Sequence, residues 1–544
     1  MKFEYKLVSS MCKVLADREP QPALSQPTLA GLRGETVSFQ LAYYWEDWSK
    51  SYAQVQAECS LPIRLRSVEL VPCAYPCHPR RDPGYLATAP GLYPDLLRDL
   101  SPQGLPLVSG QWRSLWVDLD LRGAAPGGHS LSLTLLREGG ELCQVQLACQ
   151  VLDLDLPKLP IPHTEWFHSD CLANYYQTEV FSEEYWRIVA EFVKTAAQHK
   201  CNMLLTPVFT PPLDTAVGGE RRTVQLVDVA VSGGKYSFGF EKLRRWVKMA
   251  LDCGMEYLEI SHLFSQWGAV AAPKVMATVD GTYCQLFGWD TDGGGEEYGG
   301  FLRQFLRELK EELRSLDVLE KTYFHISDEP SMEQIGTYRR AWESVKEELA
   351  GCRMMDALSD HAFYKEGLVQ QPVCALDHIQ PFLQDRPEYL WGYYCTAQCV
   401  DVPNRFIVQP GSRTRILGPL LYQYQLDGFL HWGYNFYNSQ YSIRPIDPYQ
   451  TTDSDAAFPS GDPFLVYPGP DGKPEASIRL MLMDEAMSDY CALLALEQLA
   501  GRDRALACLK EDLAFDRFPQ EEAYLLELRQ RVHSAIGTAL NSKK

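Results

Sequence analysis

Thr322-Tyr-Phe-His-Ile-Ser-Asp-Glu-Pro-Ser331 decides the reading of this chain. Its alternation is that of a strand, in which neighbouring side chains point to opposite faces. Phe324 and Ile326 therefore share one face, and His325, Ser327 and Glu329 the other, with Asp328 at the exit. Pro330 ends the strand. Ser331 and Gln334 have the spacing of a capping box, which starts the next helix. A strand that delivers two adjacent carboxylates to its C-terminal end and then enters a helix is a β/α unit with acids at its mouth.

Outward from this stretch, strands and helices alternate. Upstream lie Trp166–Asp170, a helical pattern over Glu183–His199, Asn202–Phe209, a helix over Phe240–Cys253 and Tyr257–His262. The clearest helix follows, with Phe301, Leu302, Phe305, Leu306, Leu309, Leu313 and Leu316 on one face. Downstream come a helix over Ser331–Ala350 and short strands at Met354–Leu358, Val373–Leu376, Tyr389–Tyr394 and Gly428–Tyr434. Eight strands result, the acid pair closing the fourth. The fold class is α/β, a (β/α)8 TIM-like barrel with its site at the strand C-termini.

Before the barrel, Glu35–Tyr44, Ser114–Leu121, Gly128–Leu136 and Leu142–Val151 alternate with period two between Gly-rich turns, as in a β-sandwich. A proline-spaced linker, Leu156-Pro-Lys-Leu-Pro-Ile-Pro162, separates the two textures. After Ser477 the chain reads as helical, with Ile478, Leu480, Leu482, Met483, Ala486, Met487, Tyr490 and Leu493 on a wide apolar face that closes the barrel. The expected domains are 1–157, sandwich; 158–500, barrel; and 501–544, helical tail.

A formal charge of −20 over 544 residues argues against nucleic acid or an anionic membrane as partner, since both demand basic surface. No apolar run is long enough for a signal peptide or a membrane span, so insertion into a membrane is not expected and the expected location is cytoplasmic. The 16 cysteines are scattered singly, without Cys-x-x-Cys spacing, and read as free thiols. Neither His-x-His nor His-Glu-x-x-His occurs, so neither a metal nor another cofactor is expected.

The strand ends supply His168, Asp170, His262, His361, Trp391, Tyr393, Tyr394, Trp432, Tyr434 and Asn435 as candidate substrate contacts. Flat aromatic faces suit sugar C–H groups, and His, Asp and Asn suit hydroxyls. A retaining glycosidase normally needs a second carboxylate, about 5–5.5 Å from the first, from another strand. The seventh strand, Tyr389-Leu-Trp-Gly-Tyr-Tyr394, offers none at its exit. Asp328 and Glu329 are left as the catalytic pair, which suits a sugar whose own 2-acetamido oxygen is the nucleophile. Glu329, facing inward and raised by its neighbour's charge, is then the acid, and Asp328 the ionised stabiliser. Asp484-Glu485 reads as a chance surface pair. The alternatives are a glycosidase for a sugar without the acetamido group, using Asp170 or Asp401, and a carbohydrate-binding barrel without turnover.

Taken together, Arg33-Gly-Glu-Thr-Val-Ser-Phe-Gln40, Phe324-His-Ile-Ser-Asp-Glu-Pro330, Gly428-Phe-Leu-His-Trp-Gly-Tyr-Asn435 and Gly461-Asp-Pro-Phe-Leu-Val-Tyr-Pro-Gly469 with Ser477-Ile-Arg-Leu480 resemble glycoside hydrolase family 123. The last segments resemble its associated C-terminal domain of unknown function 4091. The resemblance implies an exo-acting β-N-acetylgalactosaminidase on glycosphingolipid-type or related glycans, with Asp328 orienting the acetamido group and Glu329 as acid/base. The implied partner is a glycan or oligosaccharide with a terminal N-acetylhexosamine.

Overall fold

The period-two segments of the first third form two five-stranded sheets in the computed structural model, which describes residues 2–22, 29–47 and 51–542. One sheet runs in the order Lys2–Ser9, Thr36–Glu46, Gln111–Asp120, Ile63–Cys73, Gly91–Asp99. The other runs Leu29–Arg33, Gly140–Asp155, Gly127–Arg137, Ser51–Cys59, Leu105–Leu107. Phe39, Leu41, Leu115, Val117, Leu133 and Val145 are buried between them. The alternation therefore translates into one dry face per sheet.

The second texture is a nearly closed parallel sheet of nine short strands: β1 His163–Glu165, β2 Met203–Thr206, β3 Tyr257–Ile260, β4 Thr322–Phe324, β5 Arg353–Met354, β6 Asp356–Leu358, β7 Pro372–Ala375, β8 Trp391–Tyr393 and β9 Gly428–His431. Its order is β5-β4-β3-β2-β1-β9-β8-β7-β6. This departs from a regular eightfold barrel: the expected fifth strand breaks at Met355, one piece pairing with β4 and the other with β7. Met203, Leu205, Tyr323, Ala357, Val373 and Trp391 pack inside the ring. Leu204, Leu258, Phe324, Leu358, Cys374 and Phe429 pack outside it against the helices.

The helix Glu183–Gln198 begins at Ser182, whose hydroxyl caps the Tyr185 amide, and Glu296–Ser315 buries the expected Phe301-to-Leu313 stripe. Two features were not legible. Trp166–Asp170, expected as the first strand, lies just beyond it, and Ser169–Tyr175 is helical. A four-stranded sheet, Lys235–Gly239, Asp228–Ser232, Val275–Val279, Thr282–Phe287, grows from the loops after β2 and β3.

The helix Ile478–Ala500 is buried along most of its length rather than on one face. Arg479 forks onto Asp95 of the sandwich at 2.9 and 2.8 Å. Asp484 pairs with Lys200 at 2.6 Å and Glu485 with Arg415 at 2.7 Å. This dipeptide, expected at the surface, is thus buried and ion-paired. All 16 cysteines are free thiols. Among the described residues no helix is long and apolar enough to cross a membrane.

Candidate active site

The β4 strand stops at Phe324, but the alternation persists far enough to aim its residues. Tyr323 and His325 face the ring interior, Phe324 and Ile326 the helices. Glu329 then adopts a left-handed backbone, φ 41°, which a non-glycine residue accepts only when its surroundings hold it. Its amide donates to Ala357 O at 3.0 Å. The capping box forms as expected, with Ser331 N donating to Gln334 Oε1 at 3.0 Å. The helix it starts is shorter than expected, a 3₁₀ turn leading into Ile335–Val345.

Asp328 is buried, and Glu329 is the exposed member of the pair. Gln266 Nε2 donates to Asp328 Oδ2 at 2.8 Å, whereas Tyr393 Oη donates to Glu329 Oε1 at 2.6 Å. Neither carboxylate meets an arginine or lysine among the described residues. Burial pushes Asp328 well above the usual carboxylate range, and the charge of Glu329 adds to it, against Gln266 and His325. Glu329 is also raised, by the enclosing protein first, with Tyr393 opposing and Asp377 adding. The mutual repulsion expected to fall on Glu329 thus falls on the more deeply buried Asp328.

Beneath the pair lies a network that strand patterning had not singled out. Glu259 accepts from Thr164 Oγ1, Trp166 Nε1 and His325 Nε2, each at 2.6 Å. His325 Nδ1 lies 3.2 Å from Asp356 Oδ1. Burial alone would lower the His325 pKa, but Asp356 and Glu259 outweigh it and lift it to about 9. An imidazolium clamped between two carboxylates therefore sits under Asp328. Glu259 was visible only as an inward position of Tyr257-Leu-Glu-Ile260, a strand residue with no motif to mark it.

His262 stacks on His325 with centroids 4.2 Å apart and meets Trp166 edge-on. Both its ring nitrogens are buried without a protein partner, and burial followed by the His325 charge keeps it neutral. Trp391 and Tyr393 line the interior. Trp432 is half-buried, its indole donating to Asp462 at 2.9 Å.

Other sequence candidates are placed elsewhere. His168 is pinned between Trp432 O and Arg221, Asp170 is forked by Arg221 at 2.8 and 2.6 Å, and Asn435 exchanges hydrogen bonds with the His168 backbone. Tyr394 and Tyr434 point outward, their hydroxyls on Met483 Sδ and Phe192 O. His361 packs on Phe382 and faces Asp385. One residue past each aromatic strand end reverses the face, so adjacent Tyr393 and Tyr394 part company. Asp401 lies in a loop with its amide on Asp82. The third carboxylate that acts on Glu329 is Asp377, held by Gln398 Nε2 at 2.9 Å. Among the described residues no cluster of three or more His, Cys, Asp or Glu could hold a metal ion.

Acids with raised proton affinity at the C-terminal mouth of a β/α ring, backed by buried aromatics, mark a candidate acid/base site. The model of the glycoside hydrolase 123 catalytic domain matches residues 166–496, and the chain belongs to that family. Both C-terminal motifs, Gly461–Gly469 and Ser477–Leu480, fall inside this match. A family 123 glycoside hydrolase from Clostridium perfringens, described for glycolipid glycan hydrolysis, superposes with TM-score 0.73 at 14% identity over 99% of each chain. A family 39 glycoside hydrolase from Bacteroides cellulosilyticus reaches TM-score 0.34 at 9% identity, over 85% of this chain and 82% of that one. No curated protein matches.

Proposed function

We propose that this protein is an exo-acting β-N-acetylgalactosaminidase that uses the 2-acetamido group of its substrate as nucleophile. The observation that carries the reading is the division of partners within the pair. Asp328 has one oxygen held by Gln266 and the other without a donor among the described residues, as a group awaiting an amide N–H requires. Glu329 stands at the exposed side, where a leaving oxygen would lie. The similar Clostridium perfringens enzyme, described for glycolipid glycan hydrolysis, supports a terminal sugar of a glycan as substrate.

The pair shares its proton affinity, so binding can move the proton. An acetamido N–H donated to Asp328 favours its ionised form, and the resulting charge favours protonated Glu329. Glu329 then gives its proton to the glycosidic oxygen as the C1–O bond breaks and the acetamido oxygen bonds to C1. Asp328 holds the N–H of the oxazolinium. Water, deprotonated by Glu329, attacks C1 and restores the acetamido group. Tyr393, which holds Glu329, is the aromatic of the ring interior that supports a sugar beside the acid.

Hydrolysis of an aryl N-acetyl-β-galactosaminide but not of the aryl β-galactoside, with strong inhibition by the thiazoline analogue of the oxazoline, is the expected result. Comparable turnover of both glycosides would instead favour a sugar without the acetamido group, with Asp377 near Glu329 as second carboxylate. Sugar binding without turnover of either would leave a carbohydrate-binding barrel.

A further inference from the structure

At the rim beside the acid pair, Trp267 and Tyr441 are large aromatic side chains left 36% and 41% exposed. Their ring centroids lie 6.1 Å apart at 87°, forming a corner open to solvent. They come from different loops, after β3 and β9, and both occupy left-handed backbone, φ 56° and 59°. Bulky residues take up that conformation only where the structure holds them there.

What holds them is a closed ring of contacts through the catalytic pair. Trp267 N donates to Asp328 O at 2.9 Å. Gln266 bridges from Asp328 Oδ2, through its Nε2, to the Asp214 amide, which donates to its Oε1 at 2.5 Å. Asp214 Oδ2 accepts from Tyr441 N at 2.9 Å, and Asp214 O from Ser442 Oγ at 2.7 Å. The ring closes through the two aromatic faces. Gly268 tightens it, since a Cβ there would lie 2.5 Å from Gln334 of the capping box.

We infer that Trp267 and Tyr441 form a leaving-group subsite that stacks on the sugar ring to which the cleaved residue is attached. The inference rests on the glycosidase reading. In an enzyme that removes a terminal sugar, the departing residue lies at the acid pair, and rings at the open rim beside that pair meet what it leaves behind. Stacked aromatics suit the C–H face of a pyranose and discriminate little against its hydroxyls. The subsite therefore favours oligosaccharide leaving groups over small ones.

The test compares kcat/KM on N-acetyl-β-galactosaminyl fluoride, whose leaving group has no ring, with kcat/KM on a disaccharide of N-acetyl-β-galactosamine linked to galactose. The disaccharide-to-fluoride ratio is expected to fall roughly tenfold or more in Trp267→Ala and in Tyr441→Ala, and to recover in Trp267→Phe. Trp267→Leu, which keeps bulk without an aromatic face, serves if the alanine variant does not fold. A ratio within about twofold of wild type in the variants overturns the subsite and leaves the glycosidase reading standing. Wild-type enzyme that cleaves neither substrate overturns both.

Discussion

The chain contains two Asp-Glu dipeptides, and their partners differ in charge. Asp484 and Glu485 lie on the helix Ile478–Ala500 and meet Lys200, Arg415 and Ser10 at 2.6, 2.7 and 2.8 Å. Among the described residues, Asp328 and Glu329 hydrogen-bond only to neutral side-chain donors, Gln266 and Tyr393. Raised proton affinity does not separate the two pairs, because burial lifts Glu485 to about 7 despite Arg415. Counter-charge does. A buried carboxylate with a cation is held in place, and one without is poised to exchange a proton.

The sharpest way to break the contrast is amide substitution in both pairs. Glu329→Gln is expected to cost roughly 10²–10⁴ in kcat/KM on substrates with poor leaving groups, with little change in melting temperature. Glu485→Gln is expected to preserve kcat/KM. The reverse pattern in steady-state assays would remove the distinction. Arg415→Ala, which takes the cation from Glu485 and leaves Asp489 with Arg529 alone, is expected to cost about 3–5 kcal/mol in denaturant unfolding.

A smaller effect has the opposite sign. Asp328 is raised, so the native state binds its proton more tightly than the unfolded chain does. That contribution is complete below the unfolded carboxylate value and is lost as pH rises through the folded one. Ionised Asp328 is therefore a burden at neutral pH, and Asp328→Asn is expected to raise the melting temperature at pH 7 while abolishing turnover. The gain should shrink toward pH 4, and a loss of stability at pH 7 would contradict the assignment. His325, raised by Asp356 and Glu259, has the same sign: its contribution is full below its unfolded value and fades as pH rises through about 9.

The smallest expected effect tests the neutral donor itself. Tyr393→Phe removes the hydrogen bond that opposes the rise of Glu329, so the basic limb of the kcat/KM profile should move to higher pH. An unmoved limb would show that Tyr393 does not touch the acid in solution.

The sequence by itself determined the sandwich strands, the long amphipathic helices, the β/α alternation and the Asp328-Glu329 mouth, because period and capping are local properties of a chain. Which strand-end residues face the ring interior came from the fold. It turned Tyr393 inward and Tyr394 outward, paired Asp170 with Arg221 from a distant loop, and put Glu259 beneath the pair. It also gave Asp484-Glu485 cationic partners and Asp328-Glu329 neutral ones. The partners of a buried charge come from remote segments, and no local pattern records them.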